Sequence, residues 1–280
     1  MLKFSLLGRI EIDPGKEPVK LGGAIQQTLL ATLLVTGGSL VTVDSLIVEL
    51  WGTTPPAKVD NALQAQISRI RRTLAALEPE RETSRVVTSM SGYGFTLERS
   101  ELDSYVFLDA VEAIHARHGR AGRPDVTQDI THDIANLRAA LSLWQGPVFG
   151  GLTGGPLCQA ASARYLEARN FAQALLYELE LRVGGHERIL PELMELHARN
   201  PLQEQFCLLL MRALYRSGRQ LDALNVYRQC RHDLVESLGI EPSPVLRQYE
   251  QAILTHDPML LSDEPARPTA PPVATMASAP

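Results

Sequence analysis

A mostly α-helical chain with a small α+β domain at its N-terminus is what this sequence predicts, and three observations carry that reading. The chain has 280 residues, room for roughly two domains of about 100 to 200 residues each. Apolar residues alternate at two-residue steps near the start and again around residues 85–98, but recur at three- and four-residue steps almost everywhere after Asp103. Within that helical half, Gly184 and Gly218 stand 34 residues apart and align two similar segments.

The first residues, Phe4, Leu6, Gly8, Ile10 and Ile12, alternate with mostly polar ones, the signature of a half-buried strand, and Val19 to Leu21 supplies a short partner. After Gly22-Gly23 the period lengthens: Ile25, Leu29, Leu30, Leu33 and Leu34 form a first helix that Gly37-Gly38 stops. Thr42 precedes a second run, Leu46, Ile47, Leu50 and Trp51, and its hydroxyl is placed to cap the unpaired amides of a helix start. Gly52 ends that helix and Pro55-Pro56 marks a loop. Residues 57–77 then form a longer third helix, on which Val59, Leu63, Ile67, Ile70, Leu74 and Leu77 fall within an arc of about 80° at about 100° per residue. The segment RVVTSMSGYGFTLE, residues 85–98, holds two β-rich runs around Ser91-Gly92-Tyr93-Gly94 and predicts a hairpin.

The helical half predicts helices at about 104–118, 127–145, 157–183, 186–199, 202–217, 219–237 and 243–256. Aligning Gly184 with Gly218 pairs Leu176 with Leu210, Ile189 with Ala223, Leu193 with Tyr227 and Leu196 with Cys230. Thirty-four residues is the tetratricopeptide period, and Leu210 to Tyr227 fits its template. Helical pairs of this kind stack into an array whose groove binds protein. The domain expectation is therefore 1–100 for the α+β domain and 101–257 for the helical repeats. Residues 258–280 turn to Pro, Ala, Ser and Thr, too poor in large apolar groups to offset the entropy of ordering, and are expected to form a disordered tail or the stub of a linker.

Composition narrows the function. No apolar run approaches the roughly 18 to 20 residues of a bilayer crossing, so no membrane partner and a cytoplasmic location are expected. Cys158, Cys207 and Cys230 are too few and too widely spaced for a disulfide framework or a C-x-x-C metal pair, and they fall in apolar helical pattern. The net charge of −5 hides an asymmetry: residues 1–100 carry 11 Lys+Arg against 10 Asp+Glu, whereas residues 101–280 carry 16 against 22. The N-terminal part is thus the candidate nucleic-acid binder.

The outer face of the third helix carries Lys58, Asn61, Gln64, Ser68, Arg69 and Arg72, with Arg71 on its flank and small Ala65 at its centre. Arg grips guanine bidentately, Asn and Gln grip adenine, Ser adapts to either base, and Lys and Arg neutralise phosphates. A solvated polar face is the bland alternative for such an Arg run. The order of elements decides between them: two strands, three helices with a turn between the second and third, and a terminal hairpin make a winged helix-turn-helix. In that layout the third helix enters the major groove, and the hairpin tip brings Ser89, Ser91 and Tyr93 near phosphates. Thr42, at the start of the second helix, joins these candidate contacts. The tip carries no cationic side chain, so a plain structural turn competes with a DNA-contacting wing.

VDSLIVELWG (43–52), NALQAQISRIRRTL (61–74) and SGYGF (91–95) resemble the DNA-binding domain of the Streptomyces antibiotic regulatory protein (SARP) family. ALSLWQGPVFGGL (140–152) and residues 200–253, with LYRSGRQLDAL and LGIEPSPVL, resemble that family's bacterial transcriptional activation domain, so the likeness runs from about residue 2 to 256. The resemblance implies an OmpR-like winged helix-turn-helix followed by tetratricopeptide-like helical repeats. It also implies an activator of secondary-metabolite gene clusters that binds direct repeats near the −35 element as side-by-side protomers. Such an activator recruits the RNA polymerase holoenzyme through its principal sigma factor. Two departures stand out: Ala24-Ile25-Gln26-Gln27 and the wing residues Ser89 and Gly94 occupy places where the family commonly has arginine. Each missing phosphate contact lowers affinity, since log K falls by roughly 0.9 per neutralised phosphate for each log unit of salt. Weak solo binding is expected, supplemented by a neighbouring protomer or polymerase.

No catalytic constellation emerges, and neither an enzyme nor a cofactor is expected. GPVFGGLTGGP (146–156) lacks the Lys-Ser/Thr of a phosphate-binding loop and reads as an interhelical connection. His115 and His118 share a helix face without a nearby third metal ligand. A competing reading makes the helical array a protein-interaction scaffold and the winged domain a degenerate docking module.

Overall fold

The computed structural model describes residues 2–118 and 127–261. The chain packs as two compact units that divide between Gln173 and Ala174.

The first unit opens with a three-stranded antiparallel sheet, β1 (Lys3–Ser5), β2 (Glu11–Asp13) and β3 (Val19–Lys20), in the order β1-β2-β3. The eight-position alternation expected to be one strand is therefore a hairpin in which Phe4 pairs with Ile12. Between the two strands the backbone turns to other partners. The Leu6 and Leu7 amides donate to the Asp103 carboxylate at 2.9 Å, and their carbonyls accept from Phe149 and Gln145 at 2.9 and 2.8 Å. Period-2 patterning cannot distinguish an uninterrupted strand from two short ones flanking such a departure.

Helix α1 (Ala24–Val35) is apolar on nearly every side, and residues Thr28 through Leu34 are all buried. It packs against α2 (Val43–Trp51) and α3 (Val59–Leu77), and so forms the centre of the winged domain. A second sheet, in the order β4-β6-β5, joins β4 (Val41–Thr42) to the hairpin of β5 (Val86–Ser89) and β6 (Gly92–Phe95). The two-residue β4 carries too little pattern to be read from sequence. It forms because Gly92 comes so close that a Cβ there would stand 1.9 Å from the Val41 carbonyl oxygen.

Helices α4 (Asp103–His118) and α5 (Thr127–Leu141) follow, packed on each other, and α6 (Pro156–Arg182) runs from the first unit into the second. Phe107 and Trp144 meet edge to face at 5.6 Å in this part of the core. His118 does not stand free on its helix: its Nε2 lies 2.8 Å from the Asp133 carboxylate, while His115 meets Phe171 edge to face at 4.8 Å. Among the described residues no three metal-ligating side chains gather.

In the second unit α7 (His186–Arg199), α8 (Glu204–Arg216), α9 (Gln220–Leu238) and α10 (Pro244–Thr255) pack in succession. Gly184 and Gly218, at φ of 76° and 74°, terminate α6 and α8 in the left-handed conformation that lacks a steric penalty only in glycine. All eight side chains paired by the 34-residue alignment are buried. The three cysteines are buried as well. The first residues of the tail expected to be disordered from 258 are ordered. Residues Pro258–Leu261 form a 3-10 turn in which Leu260 is buried, and Arg216 donates to its carbonyl at 3.3 Å. The remainder of that tail, 262–280, lies outside the described residues.

Candidate nucleic-acid interface

Helix α3 keeps the stripe its sequence dictates. Leu63, Ile67, Ile70 and Leu74 are buried, with Val59 and Leu77 half-buried at its ends. Lys58, Asn61, Gln64, Ala65, Ser68, Arg69 and Arg72 are all exposed. Steps of three and four residues put them on one side of a rod about 28 Å long. Lys58 sits at the N-cap position, so its ammonium stands at the end of the helix that the α2–α3 loop delivers.

Thr42 performs the cap expected of it. Its Oγ accepts from the Ser45 amide at 3.2 Å and donates to the Ser45 hydroxyl at 2.8 Å, on the exposed start of α2. The same residue pairs with Gly92 in the β4-β6 ladder, which ties the helix-turn-helix to the root of the hairpin. The hairpin turns at Met90-Ser91, between the paired residues Ser89 and Gly92. Ser91 is exposed, whereas Ser89 and Tyr93 are half-buried on the strands.

Arg71 behaves differently from its neighbours. Its side chain turns from the α3 face to the hairpin, where Nη2 donates to the Val86 carbonyl at 2.8 Å and the Thr88 hydroxyl at 2.6 Å, and Nε donates to Val86 at 3.2 Å. The structure thus makes it a brace between α3 and β5. The corner lacking arginine is equally self-occupied: Gln26 is buried, and Gln27 donates to the Leu21 carbonyl at 3.0 Å.

Two groups beneath this surface escaped the sequence analysis. Arg85, only 3% exposed, spends its whole guanidinium internally on Glu78 (2.6 and 2.7 Å), Glu101 (2.7 and 2.8 Å) and the Thr96 carbonyl (3.2 Å). The side-chain bond from Arg85 holds the Glu78 carboxyl below its usual range. Glu101 is also held low, because its bonds to Arg85 and to the Glu98 amide outweigh the opposing effect of burial. The triad closes the base of the hairpin. A lone arginine opening an apolar run, RVV, was its signal in the sequence.

Glu49 is buried within α2, and its carboxylate accepts from the amides of Gly155 at 3.0 Å, Cys158 at 3.4 Å and Leu157. The glycine-rich connection therefore wraps a carboxylate of the chain's own at the start of α6. Its signal was a charged residue at a core position, three after Leu46 and one before Leu50. Asp103 ties the first hairpin to the start of α4: it accepts from the Leu6, Leu7 and Ser104 amides, and burial nevertheless pushes its carboxyl up to about 6.

Residues 16–97 match the family profile described as "Transcriptional regulatory protein, C terminal", and residues 102–254 match "Bacterial transcriptional activator domain". The chain is similar to the transcriptional regulator RedD of Streptomyces coelicolor, at 36% identity over 92% of this chain and 72% of the relative. It is also similar to the regulatory protein AfsR of the same organism, at 35% identity over 92% of this chain. It spans only 25% of that longer protein. Among solved structures, Mycobacterium tuberculosis EmbR in complex with a low-affinity phosphopeptide superposes with a TM-score of 0.80 at 28% identity, covering 92% of this chain and 66% of that one. Regulators dominate these likenesses, and they do not favour the scaffold reading.

Proposed function

We propose, from the premise that this chain belongs to the SARP family of DNA-binding transcriptional activators, that it switches on a secondary-metabolite gene cluster by gripping promoter DNA and holding RNA polymerase there. One observation carries the reading: α3 buries its apolar stripe and leaves a continuous row of amide, hydroxyl and guanidinium groups in solvent.

In this mechanism α3 lies in the major groove. Arg72, Arg69, Asn61 and Gln64 read base edges, Ser68 adapts to its neighbours, and Lys58 neutralises a phosphate. The exposed amides and hydroxyls at the start of α2, Thr42 included, face the backbone, where a helix N-terminus favours an anion. The hairpin, with Ser89, Ser91 and Tyr93, flanks the adjoining groove. Arg71 contributes by holding the hairpin at a fixed distance from α3 and is not itself a groove contact.

Three exposed cations, Lys58 at the N-cap of α3 and Arg69 and Arg72 along it, make for modest affinity alone. Side-by-side protomers on direct repeats near the −35 element, and contact with the polymerase holoenzyme through its principal sigma factor, supply the remainder. Tethering raises effective concentration, so two weak attachments made together outlast either alone. The tetratricopeptide-like repeats of the second unit are the surface assigned to those protein contacts. The protein works in the cytoplasm on the nucleoid, without a catalytic step or cofactor.

The test is footprinting on the promoters neighbouring its own gene, with and without polymerase, using the wild-type chain and the double variant Arg69→Glu, Arg72→Glu. The variant is expected to fold normally, because both residues are exposed, and to lose the footprint. A footprint unchanged in the variant overturns the reading.

A further inference from the structure

We infer that Met90, at the tip of the hairpin, is an apolar wedge that enters the minor groove and partly unstacks one base step. The inference rests on the DNA-binding reading above and adds a residue and a mode of recognition to it.

Met90 is 107% exposed, the most exposed large apolar side chain among the described residues; Leu221 comes next at 77%. A single apolar residue in solvent is ordinary, so exposure alone decides nothing. Its setting does. The β5-β6 hairpin is short and stiffly held. Arg71 bonds it to α3, β4 pairs with β6 at a spacing only Gly92 permits, and the Arg85 triad closes its base. The tip residue therefore projects at a set distance from the helix assigned to the major groove, which is what a side chain needs if it is to meet the adjoining minor groove at one step.

The chemistry at the tip limits how it meets that groove. From Val86 through Glu98 there is no lysine or arginine, so the negative potential of a narrow minor groove finds no cation there. What the tip offers is an unbranched thioether, flexible enough to fill an irregular gap, with Val87 at 45% exposure adding apolar surface on the outer strand. Apolar side chains of this kind act on the minor groove by slipping between base steps and kinking the duplex. The cost of unstacking is least at pyrimidine–purine steps, so the wedge selects TA or CA at one position that no hydrogen bond reads.

The experiment uses the full chain and a duplex that it recovers from a random-sequence library, with 2-aminopurine placed in turn at each position flanking the α3 footprint. Wild type and Met90→Leu are expected to brighten the probe at one pyrimidine–purine step. Met90→Ala is expected to abolish the brightening and to bind about tenfold more weakly, the scale of leaving one methionine unburied. Its dependence on salt is expected to stay that of wild type, since no phosphate contact is lost. Met90→Ala binding as tightly as wild type, or no step brightening beneath the hairpin, overturns the wedge. Arg72→Glu separates the two claims. If it abolishes binding while Met90→Ala changes nothing, the wedge alone falls. If Arg72→Glu binds as wild type does, or no duplex is recovered, the DNA-binding reading falls and the wedge with it.

Discussion

Adjacent arginines on one helix have different fates here, and the difference is a matter of about 100° of rotation. Arg72 faces solvent; Arg71 reaches the hairpin and donates to Val86 and Thr88. Their alanine variants should separate accordingly. Arg72→Ala should lower the slope of log K against log salt by about 0.9, the mark of one lost phosphate contact, or else relax the choice of one base. Arg71→Ala should leave that slope intact and speed hydrogen exchange at the amides of Val86 to Ser89, because the strand loses its brace. The outward palette of α3 was legible from spacing alone. The inward turn of Arg71 was not, since it depends on a strand 15 residues further along, and periodicity carries no information about such a partner.

The helices expected after Asp103 were legible to within about two residues at each end, except α5, which was expected to run to 145 and stops at Leu141. Each shows apolar residues at three- and four-residue steps and several end at a glycine, and both signals are local. The strand at Val19 and the hairpin at 85–98 were legible as well, but β4 was not: it has two residues, and it exists because of a backbone approach to Gly92 from far along the chain. The Arg85 triad belongs to this same scale, fastening the end of α3 to the hairpin and to the segment before α4. Removing one partner of a buried ion pair costs about 3–5 kcal/mol, because the other charge is left without compensation. Arg85→Met should therefore lower the unfolding free energy of the first unit by about that much in thermal or urea unfolding. The pH dependence has a definite sign. Glu78 and Glu101 titrate below their ordinary value of 4.5 when folded, so the triad's contribution is complete above that pH and fades as pH falls through the lowered values. The gap between wild type and Arg85→Met should be widest at neutral pH and narrow in acid.

The family profiles divide this chain near residue 100, yet the packing does not part there. Asp103 holds the amides of Leu6 and Leu7, Gln145 and Phe149 bond back to the same turn, and Glu49 reaches the start of α6. The sequence boundary marks where pattern and charge change, whereas the packing boundary depends on long-range bonds that neither records. Glu49→Ala in the full chain should lower the first unfolding transition by several degrees, since it strips acceptors from up to three amides, each worth about 1–3 kcal/mol when left unpaired in the interior. Its α3 surface should remain untouched, so residual DNA binding at low temperature should match wild type. The Glu49 arrangement also shows what the glycine-rich connection 146–156, expected to be an interhelical loop, holds in place of a phosphate. A glycine-rich turn leading into a helix is where soluble polyphosphates dock, but here that seat is taken from within. At the start of α6 the Glu49 side chain already accepts from the Gly155, Leu157 and Cys158 amides, and the Gly155 backbone is pressed so close to α2 that a Cβ would stand 2.5 Å from the Glu49 Cα.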